Sequence, residues 1–290
     1  MSPKNADTMA SSSAKKAYQS SEKENWPPGM KIVNGHLAHS IREQGMIQEP
    51  NRYGYIHLAG EFERPSPIRS NSAEKRKLLD ELKTAATRLQ SGENDVNRAD
   101  VFDAFIIPPG SKEGRKVLNE GNYKVHVAEF DVVVLVECIS PEAAMEVRGS
   151  KLFLQLKGIL EKATKIVHCI TAKNAKRIAE VDHDRNGVFL FNYFFAADVE
   201  SEGAEGIEIL LGVWEYTAGW WTAKANLTNS TPIQPLKGEK SSYSLINHCR
   251  WDRLIDVLPS LLFKPSLHKF VLKNFTANDI IAMPILYRLA

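Results

Sequence analysis

Beyond residue 50 the apolar positions follow two alternating rhythms. "RYGYIHLAGEF" (52–62) alternates with the period of a strand. "SAEKRKLLDELKTAATRLQ" (72–90) follows with a helical period: Leu78, Leu79, Leu82, Ala85, Ala86 and Leu89 share one face, and Ser72 is the N-cap. A strand comes next, "DVFDAFIIPP", stopped by Pro108 and Pro109. "KVHVAEFDVVVLVECI" (124–139) reads as one long strand. "SPEAAMEVRGSKLFLQLKGILEKA" (140–163) reads as a helix with Ser140 as cap and Pro141 in the first turn. "KIVHCITA" closes this set as a strand. Ahead of it, "MKIVNGHLA" (30–38) is expected to add a strand where folding begins.

The same order then recurs. "GVFLFNYFFAA" predicts a strand, "GIEILLGVWEYTAGWWTAKAN" a helix, and "STPIQPL" a short edge strand carrying proline. "SYSLINHCRW" predicts a strand, residues 252–275 a helical region broken at Pro259 and Pro265, and "IIAMPILYRL" the last strand. Laying 150–157 over 266–273 matches Ser150 with Ser266, Leu156 with Leu272 and Lys157 with Lys273, which favours a duplication. Each set is a βαββαβ unit, the ferredoxin-like arrangement with both helices on one sheet face. The expected architecture is α+β: tandem ferredoxin-like repeats over 29–180 and 181–290, closed into a pseudo-dimeric α/β barrel behind a disordered tail, 1–28. The tail expectation rests on a Ser-, Lys- and Asn-rich composition with almost no aliphatic residues.

This order resembles the dimeric α/β-barrel superfamily, in a fused tandem form. "WEYTAGWW" (214–221) is similar to a stretch in fungal proteins of that type with no assigned activity. The resemblance implies either small cofactor-free monooxygenases, decarboxylases and cyclases of polyketide and secondary metabolism, or haem-dependent enzymes, or proteins without activity.

Strand alternation sorts the candidate chemistry by face. In "SYSLINHCRW", Ser244, Ile246, His248 and Arg250 oppose Tyr243, Leu245, Asn247, Cys249 and Trp251. In "GVFLFNYFFAA", Phe189, Phe191, Tyr193 and Phe195 oppose Val188, Leu190, Asn192 and Phe194. The aromatic faces are assigned to the helices, and the faces with Asn192, Ser244, His248 and Arg250 to the space between the sheets. The first repeat contributes Asp103, Glu137 and His168 to that space by the same sorting. Histidine takes a proton from a phenol or carbon acid, and arginine or asparagine holds the resulting oxyanion. His248, Arg250 and Asn192 are therefore the catalytic candidates, with Ser244, Glu137, His168 and Asp103 around the substrate. Trp214, Trp220 and Trp221 are candidates to wall a pocket for a flat ligand, although such an aromatic helix stripe equally serves a core. The alternative for the polar set is a buried network that docks the two halves without catalysis.

Composition narrows the picture further. A chain of 290 residues with net charge +2 gives no electrostatic case for nucleic acid or an anionic membrane, and no apolar run approaches the span of a bilayer. Cys138, Cys169 and Cys249 stand apart without metal-ligand spacing, which points to buried thiols, a cytoplasmic setting and no metal. No phosphate loop or haem-attachment motif is present, so no cofactor is expected, with haem on one of the histidines kept as a minor alternative. "HDRNG" (183–187) reads as a turn before a strand. The expected partner is a small molecule, and self-association is left open.

Overall fold

The computed structural model describes residues 26–40, 47–62, 72–108, 116, 118–120, 123, 125–197 and 204–290. Of the expected tail, residues 1–25 lie outside the described residues. Trp26 packs edge-on against Tyr216 at 5.4 Å.

The elements run β1 (Gly54–Glu61), α1 (Ala73–Gly92), β2 (Val96–Ile106), β3 (Val132–Cys138), α2 (Pro141–Gly149), α3 (Lys151–Ala163) and β4 (Ile166–Asn174). They continue as β5 (Val188–Ala196), α4 (Ala204–Ala225), β6 (Thr231–Pro235), β7 (Leu245–Trp251), α5 (Leu254–Phe263), a π-helical turn (Leu267–Leu272), α6 (Lys273–Ala277) and β8 (Ile280–Leu289). All eight strands pair antiparallel in one closed barrel, ordered β1-β3-β2-β8-β5-β7-β6-β4. Each half has the ferredoxin-like order: β4-β1-β3-β2, then β6-β7-β5-β8. The halves join edge to edge, with Asp103 opposite Arg288 on β2–β8 and Lys173 opposite Gln234 on β4–β6. Closure leaves no free strand edge in the ring.

Three cores follow from the geometry. One lies between the first half's sheet and α1–α3, one between the second half's sheet and α4–α6, and one lines the barrel. Ser72 and Ser140 cap α1 and α2 through their side-chain oxygens, as the sequence predicts. Close approach of α2 to β1 requires Gly54, where a Cβ would stand 2.2 Å from Ser140 O.

Several elements differ from the sequence expectation. Residues 30–38 form no strand. Asn274 and Asn278, one helical turn apart, bind Val33 and Lys31 through both the N–H and the C=O of each (2.7–3.1 Å), so two amide side chains stand where a strand partner would. Helix 140–163 is two helices, because Ser150 adopts extended backbone (φ −69, ψ 154) and caps α3 at Phe153 N. The long third strand shortens to Val132–Cys138. The proline-bearing β6 is not an edge: it lies between β4 and β7, with each ladder only three residues long. Pro259 sits inside α5 instead of ending it.

Candidate functional site

The barrel interior takes the face of β5 that was assigned to the helices. Phe189, Phe191, Tyr193 and Phe195 point inward, while Val188, Leu190 and Phe194 join the helix-side core. The reason is volume. An eight-stranded barrel has an interior just wide enough for side chains to fill or to hold one small ligand, and large rings line it. The β7 assignment places Ile246 in the barrel and Leu245, Cys249 and Trp251 beneath the helices. His248 is inward, stacked on Phe191 at 4.2 Å between ring centres.

At one end of the barrel a hydrogen-bonded row crosses from one half to the other. Asp100 Oδ2 lies 2.6 Å from His183 Nδ1, and His183 Nε2 lies 2.8 Å from His248 Nε2. His248 Nδ1 donates to the Leu190 carbonyl at 3.2 Å. A carbonyl only accepts, so the His248 proton is on Nδ1, and its Nε2 lone pair receives the His183 N–H. Burial, reinforced by His183, holds the His248 pKa well below the usual histidine value. Arg98 Nε supports Asp100 at 2.8 Å, and Glu137, its pKa raised by burial, accepts from Asn97 Nδ2 at 3.2 Å.

Arg250 faces this end but its donors are engaged. Nε reaches Arg185 O at 3.3 Å, one Nη reaches Asn186 O at 2.5 Å, and the other reaches Asp252 Oδ1 at 2.8 Å. The guanidinium thus braces the 183–187 turn that carries His183. Gly187 is needed there, since a Cβ would lie 2.5 Å from Trp251 O and 2.6 Å from Arg250 Nε.

Deeper in the barrel stand His57 and His168, with ring centres 5.5 Å apart, among Phe130, Phe191, Tyr193 and Tyr243. His57 Nε2 contacts Tyr193 Oη at 3.2 Å and His168 Nε2 contacts Ser241 Oγ at 3.1 Å. The Nδ1 atoms of both rings are buried without a protein partner. Burial, with His168 close by, pushes the His57 pKa well down; burial, with His126 and Arg148, takes His168 down to about 4. Burial likewise raises the Tyr193 and Tyr243 pKa values, so both phenols stay protonated.

The other candidates are elsewhere. Asp103 is on the helix side of β2, paired with Lys75 Nζ of α1 at 2.5 Å, because Phe102 and Ala104 take the inward positions. Ser244 precedes β7, its N–H bonded to Phe194 O at 2.8 Å, and lies in neither histidine group. Asn192, set inward by the sequence, faces the helices instead. It lines a cavity of about 120 Å3 with Trp214 and Trp221, opposite the face that carries His248. Trp220 is fully buried behind them, its indole N–H donating to Ser266 Oγ at 3.1 Å.

His57 and His183 were missed by sequence reasoning. Tyr55, His57 and Ala59 share a face of β1, so extending the face sorting to that strand finds His57. His183 sits in a turn, where no periodicity assigns a direction. Among the described residues no group of three or more His, Cys, Asp or Glu side chains is arranged to hold a metal ion, and no helix is long and apolar enough to cross a membrane.

No protein-family model matches the sequence, and no curated protein matches it. Solved structures do. An anthrone oxidase-like protein superposes with a TM-score of 0.57 at 10% identity, covering 84% of this chain and 94% of its own. A monooxygenase-like protein from Lactobacillus acidophilus NCFM gives 0.44 at 7% identity, covering 83% and 94%. A dimeric protein with a ferredoxin-like fold from Bacteroides fragilis NCTC 9343 gives 0.28 at 8% identity, covering 43% of this chain and 99% of that one. The latter two are too distant to add weight. The first shows the fold that the strand order already gives, a ferredoxin-like α/β barrel, here closed within one chain.

Proposed function

We propose that this protein is a small-molecule enzyme of the monooxygenase type, acting on an aromatic or polyketide-like substrate inside the barrel with no cofactor in the proton-transfer step. The reading is carried by the two imidazoles His57 and His168, whose buried Nδ1 atoms have no protein partner in an interior of aromatic rings. A neutral imidazole in a dry site accepts a proton from a phenol or an activated carbon acid. The anion so formed is electron-rich, which oxygenation and ring closure of such substrates both require. The likeness to the anthrone oxidase-like protein agrees with this substrate class.

The roles differ from those assigned by sequence. Both nitrogens of His248 are engaged, so His248 does not meet the substrate first; it accepts the His183 N–H and holds the row in place. Arg250 is a positioning residue for the turn that holds His183. Glu137 tunes the charge at the barrel end. Asn192, Trp214 and Trp221 do not contact a substrate bound among the barrel histidines.

A second reading has its own observation. His248 is 3% exposed and touches Phe102, Phe189 and Phe191 as well as His183, so the same row is suited to docking the halves without catalysis. The test is oxygen uptake and product formation with anthrone and polycyclic phenols as probes. His57→Gln and His168→Gln are expected to lower kcat by about 100-fold or more, with thermal stability retained near neutral pH. No turnover by the wild-type protein, together with variants that lose stability alone, favours the docking network.

A further inference from the structure

The second half encloses a cavity that the barrel chemistry does not use. It lies between the outer face of β5, β7 and β8 and the helices α4–α6, and its volume is about 120 Å3. Phe194, Trp214, Trp221, Trp251 and Phe275 supply aromatic walls. One polar atom in it is unmatched: Asn192 Oδ1 is buried with no hydrogen-bond partner in the protein. Native structures rarely keep such an acceptor dry. A lone water is a poor solution, because it needs several polar partners and the hydroxyl protons nearby are committed. Ser230 Oγ donates to Asn247 Oδ1 at 2.7 Å, and Thr217 Oγ1 donates to Val213 O at 2.8 Å.

We propose that this cavity is a second small-molecule site, for a single-ring aromatic compound carrying one hydroxyl donor, the phenol class. Size sets the ring count, since a protein cavity of roughly 150 Å3 admits benzene. Asn192 sets the donor, and the indole walls set the flat shape. The opening is on the side of α5 and the following π-helical turn, where the lining residues Leu262 and His268 are exposed. Ile255 and Phe263 are 69% and 77% exposed on the same helix, an apolar approach for an apolar ligand. Pro259 within α5 removes a backbone donor there, so this wall opens at less cost than a regular helix.

Phenol is the probe and benzene its control, followed by tryptophan fluorescence and ligand-observed NMR on the full chain. Phenol is expected to saturate and to bind about fivefold tighter than benzene, the worth of one neutral hydrogen bond. Asn192→Leu keeps benzene binding and removes the fivefold preference. Ala282→Phe fills the cavity from the sheet side and abolishes both, and Ala218→Leu does so from α4 should the first variant fold poorly. Absence of saturable phenol binding, a preference that survives Asn192→Leu, or affinity unchanged in both filled variants overturns the proposal. Asn192→Leu, outside the barrel, leaves any turnover by the barrel histidines unchanged, so this site and the barrel reading fail or stand separately.

Discussion

If the barrel histidines are neutral, the protein must lose stability steeply in mild acid. His57 and His248 are buried and His168 is half-buried, with pKa values driven down by burial, to about 4 for His168. In the unfolded chain each returns to about 6.5. Above that value neither state binds the proton, and the fold keeps its full stability. Below it the unfolded chain binds protons that the fold refuses, so stability falls with pH until the folded values are reached. At about pH 5 His168 alone costs ~2 kcal/mol, and His57 and His248 add losses of the same sign, against a typical total of 5–15 kcal/mol. Glu137 works in the opposite sense, since burial raises its pKa and the fold takes up that proton first, returning part of the loss. Urea melts across the range from neutral to about pH 5 measure the slope, which approaches ~4 kcal/mol per pH unit for three sites. His168→Gln or His57→Gln should each remove about a third of it. A flat profile refutes the reasoning, because it means that the imidazoles bind protons in the fold as readily as in the unfolded chain, and burial does not hold them neutral.

Other outcomes follow from single contacts. Lys75→Met strands Asp103 beneath α1 and should cost about 3–5 kcal/mol by thermal or urea melting, while the double change Lys75→Met with Asp103→Leu recovers most of it; equal losses in both would deny that Asp103 is a structural partner. Arg250→Met leaves the Arg185 and Asn186 carbonyls and the 183–187 turn unbraced. It should cost about 3 kcal/mol and shift the NMR signals of His183, whereas a purely local effect leaves His183 unmoved. Burial pushes the Cys138 thiol up to about 12 and raises Cys249 well above the usual thiol value, so both should resist alkylation at mildly alkaline pH until denaturant is added. Gly54→Ala drives a Cβ into Ser140 O and should destabilise the first half by about 3 kcal/mol.

Much of this architecture is legible because local signals and fold agree. Serine caps, the proline stop after β2 and the repeated βαββαβ order are written in short segments, and each has a local cause. Direction across the sheet is different. Alternation separates Phe191 from Asn192 but does not say which is inside, because an aromatic face suits a helix layer and a barrel lumen equally well. The balance is decided by the volume that eight closed strands must fill, a property of the whole ring. Asp103 fails for the same reason: its partner Lys75 is on a helix 28 residues earlier, reached only once α1 is laid on β2. The strand expected at 30–38 was lost to a contact of still longer range, with Asn274 and Asn278 taking the place of a neighbouring strand.

Fusion of the halves changes what the interior can hold. In a barrel made from two identical units, every inward side chain occurs twice about the axis, so an imidazole cannot lie among rings alone; its copy lies there too. Within one chain the symmetry is free to break. The first half supplies His57 and His168 from β1 and β4, and the second supplies Phe191 and Tyr193 from β5 to surround them. The row at the barrel end goes further. Asp100 belongs to the first half and His248 to the second, and the residue between them, His183, lies on the segment joining β4 to β5. That segment exists because the units are covalently joined. A dimer of separate units has no residue at that place in the chain, so the row from His248 to Asp100 depends on the two halves being one chain. Cutting the chain within 183–187 should therefore leave two halves able to pair through β2–β8 and β4–β6 while moving His183 off His248, which separates assembly of the barrel from assembly of its proton row.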